Sequence, residues 1–340
     1  MLDPIRLARQ LIDVPSVTGE ELAHARLVGS LLEGLGLRVE LADAAPSRPN
    51  VFASIGTPRI VLCSHLDTVP SFFPSEETED LIYGRGACDT KGIIAAMLVT
   101  GERLIADGVR DFGYLFVVGE ETDSIGAKKA NEQFADRGSE VVLVGEPTES
   151  AFVKASKGAL TCTIGFEGVA AHSAHPERGD SAILKLARAV EAIQSASWGE
   201  DADMGKGTSN VGVVRGGEKA NIVPAHAEAE CIFRIVEPVT EALARVKAIV
   251  EPLGGSVIRW HGNDPVAMIV PRGEPATVVA FNTDAPHLGR IGRPMLFGPG
   301  SILDAHSARE KIAKRKIIDA VETYRSVVSR LVKGELQTDG

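Results

Sequence analysis

Residues 59–67 read RIVLCSHLD. A continuous apolar run that turns polar only at its end is the pattern of a strand buried on both faces, with its exit at an accessible edge. The same pattern recurs in GYLFVVGEE (113–121) and EVVLVGEPT (140–148), and a strongly helical stretch, TKGIIAAMLVTGERLIADG, fills residues 90–108. Strand–helix alternation predicts an α/β layer with a mostly parallel central sheet. In such sheets ligands gather beyond the carboxyl ends of the strands.

N-terminal to this layer, residues 4–13 have helical spacing. TGEE (18–21) then reads as a capping box, with Thr18 as N-cap and Glu21 reaching back, for a helix that runs to about Leu35 and stops at Gly36. LRVELAD (37–43) and NVFASIG (50–56) alternate like strands, and a further helix is expected over about 125–136. The pattern changes near Gly158. Strand, helix, two strands, helix and strand follow as far as about His261, the order of a ferredoxin-like unit. The final helix carries Ile317, Ala320, Val321, Tyr324, Val327, Val328 and Leu331 on one stripe, and the last residues, GELQTDG, are expected to fray. Residues 1–157 and 263–340 are therefore expected to form one domain, with 158–262 inserted into it.

Composition narrows the function. A net charge of −10 gives no bulk attraction to nucleic acid or anionic membrane. The four cysteines (Cys63, Cys88, Cys162, Cys231) form no C-x-x-C pair, and three lie in apolar strand contexts, which favours free thiols in a reducing compartment. The first residues lack the apolar core of a secretion signal, and the longest apolar run, GIIAAMLV, is too short for a bilayer. A cytoplasmic location is expected. Neither GRGACDTKG (84–92) nor GPGS (298–301) has the spacing of a dinucleotide or nucleotide-phosphate loop.

Chemistry collects at the strand exits. His65 and Asp67 follow the first central strand, Asp89 precedes a helix, and Glu120 and Glu121 end the second strand. Glu146 ends the third, and His306 stands in the glycine-rich GPGSILDAHSARE (298–310). Each signal alone is weak, since an acidic pair is usually a solvated turn and a single histidine often structural. At four or five exits of one layer they form a set. Imidazole and carboxylate without thiolate suit two divalent ions, zinc above all, with cobalt or manganese as substitutes. Asp67 is placed to hold the second ring N–H of His65.

At these residues the chain resembles the co-catalytic zinc aminoacylase and carboxypeptidase family, which includes acetylornithine deacetylase, succinyl-diaminopimelate desuccinylase and glutamate carboxypeptidase. The matching stretches are SHLDTVP, GRGACDTKG, GEETDSIGA, GEPT, GVAAHSAHPERGDSAI, GGEKANIVPAHAEAECIFR, NTDA and FGPGSILDAHSAREKI, in family order over nearly the whole chain. The resemblance implies His65, Asp89 and Glu146 on one zinc ion, and Asp89, Glu121 and His306 on the other. It makes Glu120 the general base and gives Asp67 the orienting position beside His65, and it places a cis peptide after Asp89. The inserted segment matches a dimerisation or lid domain, which implies a homodimer in which His172 supports the oxyanion in the partner's site. His175 is better read as a loop histidine. Lys157, Asn221 and Arg234 match substrate contacts. The implied reaction is hydrolysis of an amide bond in an N-acyl amino acid by a metal-bridged water, as in a biosynthetic deacetylase. A dipeptidase or glutamate-type carboxypeptidase is the alternative, and a silent metal-binding scaffold a remote one. Arg309 and SILDA depart from the family pattern near the substrate end.

Overall fold

A computed structural model describes residues 2–339. The helices are α1 (Pro4–Ile12), α2 (Leu22–Gly34), α3 (Lys91–Ala106), α4 (Ile125–Gln133), α5 (Ala182–Ser195), α6 (Val239–Val250) and α7 (Lys314–Val332). The main strands are β1 (Arg38–Ala45), β2 (Arg48–Ile55), β3 (Ile60–His65), β4 (Phe112–Val117), β5 (Val141–Val144), β6 (Gly158–Glu167), β7 (Thr208–Gly216), β8 (His226–Ile235), β9 (Gly255–Asn263) and β10 (Arg293–Leu296). The chain divides into two compact units. One comprises residues 2–154, Ala267–Thr277 and 283–339; the other comprises Ala155–Val266 and Val278–Asn282.

The first unit is built on a sheet in the order β1-β2-β4-β3-β5-β10. Strands β4, β3, β5 and β10 are parallel, while β1 and β2 form an antiparallel edge. Every residue of β3 and β4 is buried, as their unbroken apolar runs require. Helix α3 is buried from Lys91 to Gly101 and packs against α1 and α7. The α7 stripe read from the sequence is its buried face. In register, His65 lies opposite Val117, Cys63 opposite Val144, and Val144 opposite Leu296. The four parallel strands thus end in one row.

The second unit is a four-stranded antiparallel sheet ordered β7-β8-β6-β9, with α5 and α6 packed on it. In β8 burial alternates, with Ala227, Ala229, Cys231, Phe233 and Ile235 inward. They join Leu160, Ile164, Phe166, Leu186, Ile193 and Val246 in a separate core. The strand order is that of the ferredoxin-like unit.

Two local expectations are corrected. Thr18 does not cap α2, which has no side-chain cap. The Thr18 hydroxyl donates to Asp67 Oδ2 at 2.8 Å, and Glu21 accepts from the Gly19 N–H and from Arg48. A buried carboxylate and a facing guanidinium outcompete a local cap, because a charged partner makes the stronger hydrogen bond. Nor does the tail simply fray. Thr338 and Asp339 pair with Pro271 and Val270, and Arg272 reaches Gln337 and Asp339. All four cysteines are free and buried, and no helix among the described residues is long and apolar enough to cross a membrane.

Candidate metal centre

The row of strand exits brings the predicted residues of the first unit together. His65 is the last residue of β3, and its Nε2 lies 2.9 Å from Asp89 Oδ1 and 4.0 Å from Glu146 Oε1. The other Asp89 oxygen, Oδ2, lies 3.3 Å from His306 Nε2, which is also 2.9 Å from Glu121 Oε2. Asp89 therefore turns one oxygen toward each histidine, with Glu146 on one side and Glu121 on the other. Its backbone enters α3 through a cis Asp89–Thr90 peptide. His306 takes a positive φ of 58° after the glycine-rich loop and stays half exposed.

Asp67 sits against the second ring nitrogen of His65 as expected, but the hydrogen bond goes to its main chain. The His65 Nδ1 lies 2.9 Å from the Asp67 main-chain oxygen, whereas the Asp67 carboxylate is 3.6 Å away, beyond hydrogen-bond reach. Instead that carboxylate accepts the backbone N–H groups of Glu120 and Glu121 and the Thr18 hydroxyl. It holds the acidic doublet from below. The chain needs such a clamp because Gly119, at φ 78°, swings it out of β4 into a turn just before the doublet.

Charge is unbalanced here. Burial raises the Glu146 carboxyl well above the usual range, and the charges of Glu120 and Asp89 add to it. Glu120 keeps a partly exposed edge, yet its packed surroundings push it the same way, with Asp284, Glu121 and Asp89 reinforcing the effect against His65. Among the described residues its carboxylate has no hydrogen-bond or ion-pair partner. Asp89 and Glu121 draw the His306 imidazolium up to about 10. Burial disfavours the His65 imidazolium, but Asp67 and Asp89 raise it well above the ordinary value. Burial also opposes ionisation of Asp89, and the two histidines outweigh it and hold the carboxyl low.

Such a set satisfies itself only by taking up protons, and divalent cations would replace them. His65, Asp89 and Glu121 each offer a ligand atom within 4.8 Å of the others. Nitrogen and carboxylate donors of this kind fit zinc or a neighbouring divalent ion.

Comparison with known proteins agrees with this fold. Residues 154–256 match the family described as "Peptidase dimerisation domain". A "Peptidase M20 domain-containing protein" of Schizosaccharomyces pombe is 35% identical over 341 residues, covering 95% of this chain and 84% of that protein. The chain belongs to the M20 peptidase family. A "Probable carboxypeptidase" of Aspergillus niger is 30% identical over 375 residues, covering 97% of this chain and 90% of that one. The crystal structure of a tripeptidase from Staphylococcus aureus superposes with a TM-score of 0.82 at 19% identity, covering 97% and 98% of the two chains. The protein is thus a hydrolase of M20 type, with that family's fold.

The remaining expected site residues of this M20 chain lie in the second unit. His172 is exposed, and its Nδ1 accepts the Ala174 N–H at 3.1 Å. His175 lies 3.4 Å from Glu177 at the surface. Lys157 donates to the Lys206 carbonyl at 2.6 Å, and the carbonyl of exposed Asn221 accepts the Ser173 N–H. Arg234, opposite Thr208 and Ala159 in the sheet, is half-buried, and among the described residues no carboxylate pairs with it.

Three supporting residues do not stand out in the sequence. Glu310 accepts the backbone N–H groups of Cys88 and Asp89, each at 3.0 Å, and pairs with buried Arg85 at 2.7 Å, so it fixes the loop that carries Asp89. Asp284, in NTDA, is buried beside the cluster, and burial pushes its carboxyl up to about 7. Glu310 and Asp284 both lie in stretches that match the family, so an acidic residue inside a matching stretch is the available signal.

Proposed function

We propose that the chain hydrolyses an amide bond next to a free carboxylate, in an N-acyl amino acid, using two divalent ions. His65, Asp89 and Glu146 would hold one ion, and Asp89, Glu121 and His306 the other. The observation that carries this reading is Asp89, whose two oxygens face different histidines while Glu120 stands unpaired beside them. Bound there, two ions supply Lewis acidity to the scissile carbonyl and make water a stronger acid near neutral pH. Glu120 takes the proton of the attacking water and returns it to the leaving amine. Its raised affinity for a proton and its lack of a competing partner suit that exchange. Asp67 keeps Glu120 and Glu121 in register through their N–H groups. Arg234, a cation with no carboxylate partner among the described residues, is suited to the substrate carboxylate. The dimerisation-domain match supports a homodimer; residues 158–262 would form its interface, and His172 would assist the oxyanion across it.

The relatives named as carboxypeptidases favour a second reading, in which the acyl side is an amino acid and the enzyme is a dipeptidase or carboxypeptidase. Amine release from N-acetyl, N-succinyl and dipeptide substrates, with zinc or cobalt added, tests both. Turnover of the acyl amino acids supports the first reading, and turnover confined to peptides supports the second. No release above that of a Glu120→Gln variant, for any substrate, removes both.

A further inference from the structure

A cavity of about 630 Å³ opens beside His306, lined entirely by residues of the first unit. Phe72, Phe73 and Tyr83 give it an aromatic wall, and Glu76 and Arg309 line it as well. Arg85 also borders it, but that guanidinium is committed. It donates to the Ser71 carbonyl at 3.2 Å and to Glu310 at 2.7 Å, and lies over the Phe73 ring. Arg309 is different. Its guanidinium lies 5.3 Å from the Tyr83 ring centroid, and among the described residues it has neither a carboxylate nor a hydrogen-bond partner. Stacking occupies the face of a guanidinium and leaves its in-plane N–H groups free, in the fork that matches a carboxylate. A preoriented cation with unused donors stands on the wall that His306 completes.

We propose that this cavity is a substrate subsite in which Arg309 binds a second carboxylate of the substrate, so that the preferred amides carry an acidic group on the half that enters it. The inference rests on the hydrolase reading above. Glu76 shares the cavity and has no ion-pair partner among the described residues, so it weakens the binding of any anion there. Replacing Glu76 should therefore strengthen it.

The first test is a binding measurement and needs no turnover. Zinc-loaded protein is titrated calorimetrically with glutarate and with its monoamide, which differ only in one carboxylate. The parent should bind glutarate about tenfold more tightly, as expected for a charged hydrogen bond. Arg309→Ala should abolish that preference, Arg309→Lys should keep part of it, and Glu76→Gln should enlarge it. Equal binding of the two ligands by the parent, or a preference that survives Arg309→Ala, would overturn the proposal.

A kinetic arm places the carboxylate. Two amide series are compared, one varied on the acyl side (acetyl against succinyl and glutaryl) and one on the amine side (alanine against glutamate). Arg309→Ala should lower kcat/KM about tenfold for the acidic member of one series and leave the neutral members within twofold. Equal losses throughout would also overturn the subsite. Absence of all hydrolysis by the parent would instead remove the hydrolase reading, leaving the glutarate preference as a separate result.

Discussion

Glu120 and Glu121 are neighbours in sequence with different surroundings. Glu121 faces His306 and Asp89, whereas the Glu120 carboxylate has no partner among the described residues. Glu120→Gln should therefore keep metal content near the parent level and lose at least about a hundredfold in kcat, the usual scale for a removed general base. Glu121→Ala should lose one metal equivalent per chain by elemental analysis. A Glu120→Gln enzyme turning over at the parent rate would exclude it as the base. A second residue makes a prediction about stability. His24 is fully buried, with Nδ1 3.2 Å from the Leu66 carbonyl and Nε2 without a hydrogen-bond partner among the described residues. Burial, and then the charge of Lys91, hold its pKa well below the ordinary 6.5. The unfolded chain takes up this proton near pH 6.5 and the folded chain does not. Stability should therefore fall as pH drops below that value, by at most about 1.4 kcal/mol per pH unit. Denaturant titrations from about pH 7 to about pH 5 should show a shallower loss for His24→Gln than for the parent.

At the scale of elements, the site depends on how closely α4 approaches the end of β4. Gly126 donates its N–H to the Val118 carbonyl at 2.9 Å, and a Cβ there would lie 2.3 Å from that oxygen and 2.4 Å from the Val118 nitrogen. Gly126→Ala should cost about 1–3 kcal/mol in thermal melts, since backbone cannot yield as a flexible side chain can. Because the strain falls beside the Glu120–Glu121 turn, activity should drop with it. Gly34, the last residue of α2, has no positive φ, and a Cβ added to it would meet nothing within 4 Å. Gly34→Ala should gain about 0.4–1 kcal/mol in the same melts and leave turnover unchanged. The elements themselves are largely legible in the sequence. The apolar runs of β3 and β4 and the α7 stripe follow from burial on two faces or one, and burial is written into local periodicity. Thr18 departs from its motif because a Ser/Thr-x-x-Glu pattern reports only local options. The side chains of Thr18 and Glu21 go instead to Asp67 and Arg48, 49 and 27 residues away.

For the whole molecule, the proposal places His172 of one chain in the site of another. A two-chain particle is expected by sedimentation. His172→Ala and Glu120→Ala should each be inactive, and mixing them under subunit exchange should recover up to about a quarter of the parent rate, since a mixed dimer of this symmetry carries one complete site. Persistent inactivity in proven heterodimers would rule out the shared site.

By itself the sequence determined the α/β layer, the inserted ferredoxin-like unit, and which residues lie at the strand exits. These depend on periodicity and on short motifs, which are properties of neighbouring residues. Tertiary structure decided what each side chain does at those exits. It gave the Asp67 carboxylate the Glu120–Glu121 backbone to hold and assigned the His65 ring nitrogen to the Asp67 main chain, set Glu310 under the Asp89 loop, and left Arg309 on an aromatic wall without a counter-ion among the described residues. The Asp67–Glu120 and Glu310–Asp89 pairings span 53 and 221 positions of the chain. A buried charge takes the partner that packing brings within reach, which no local pattern encodes.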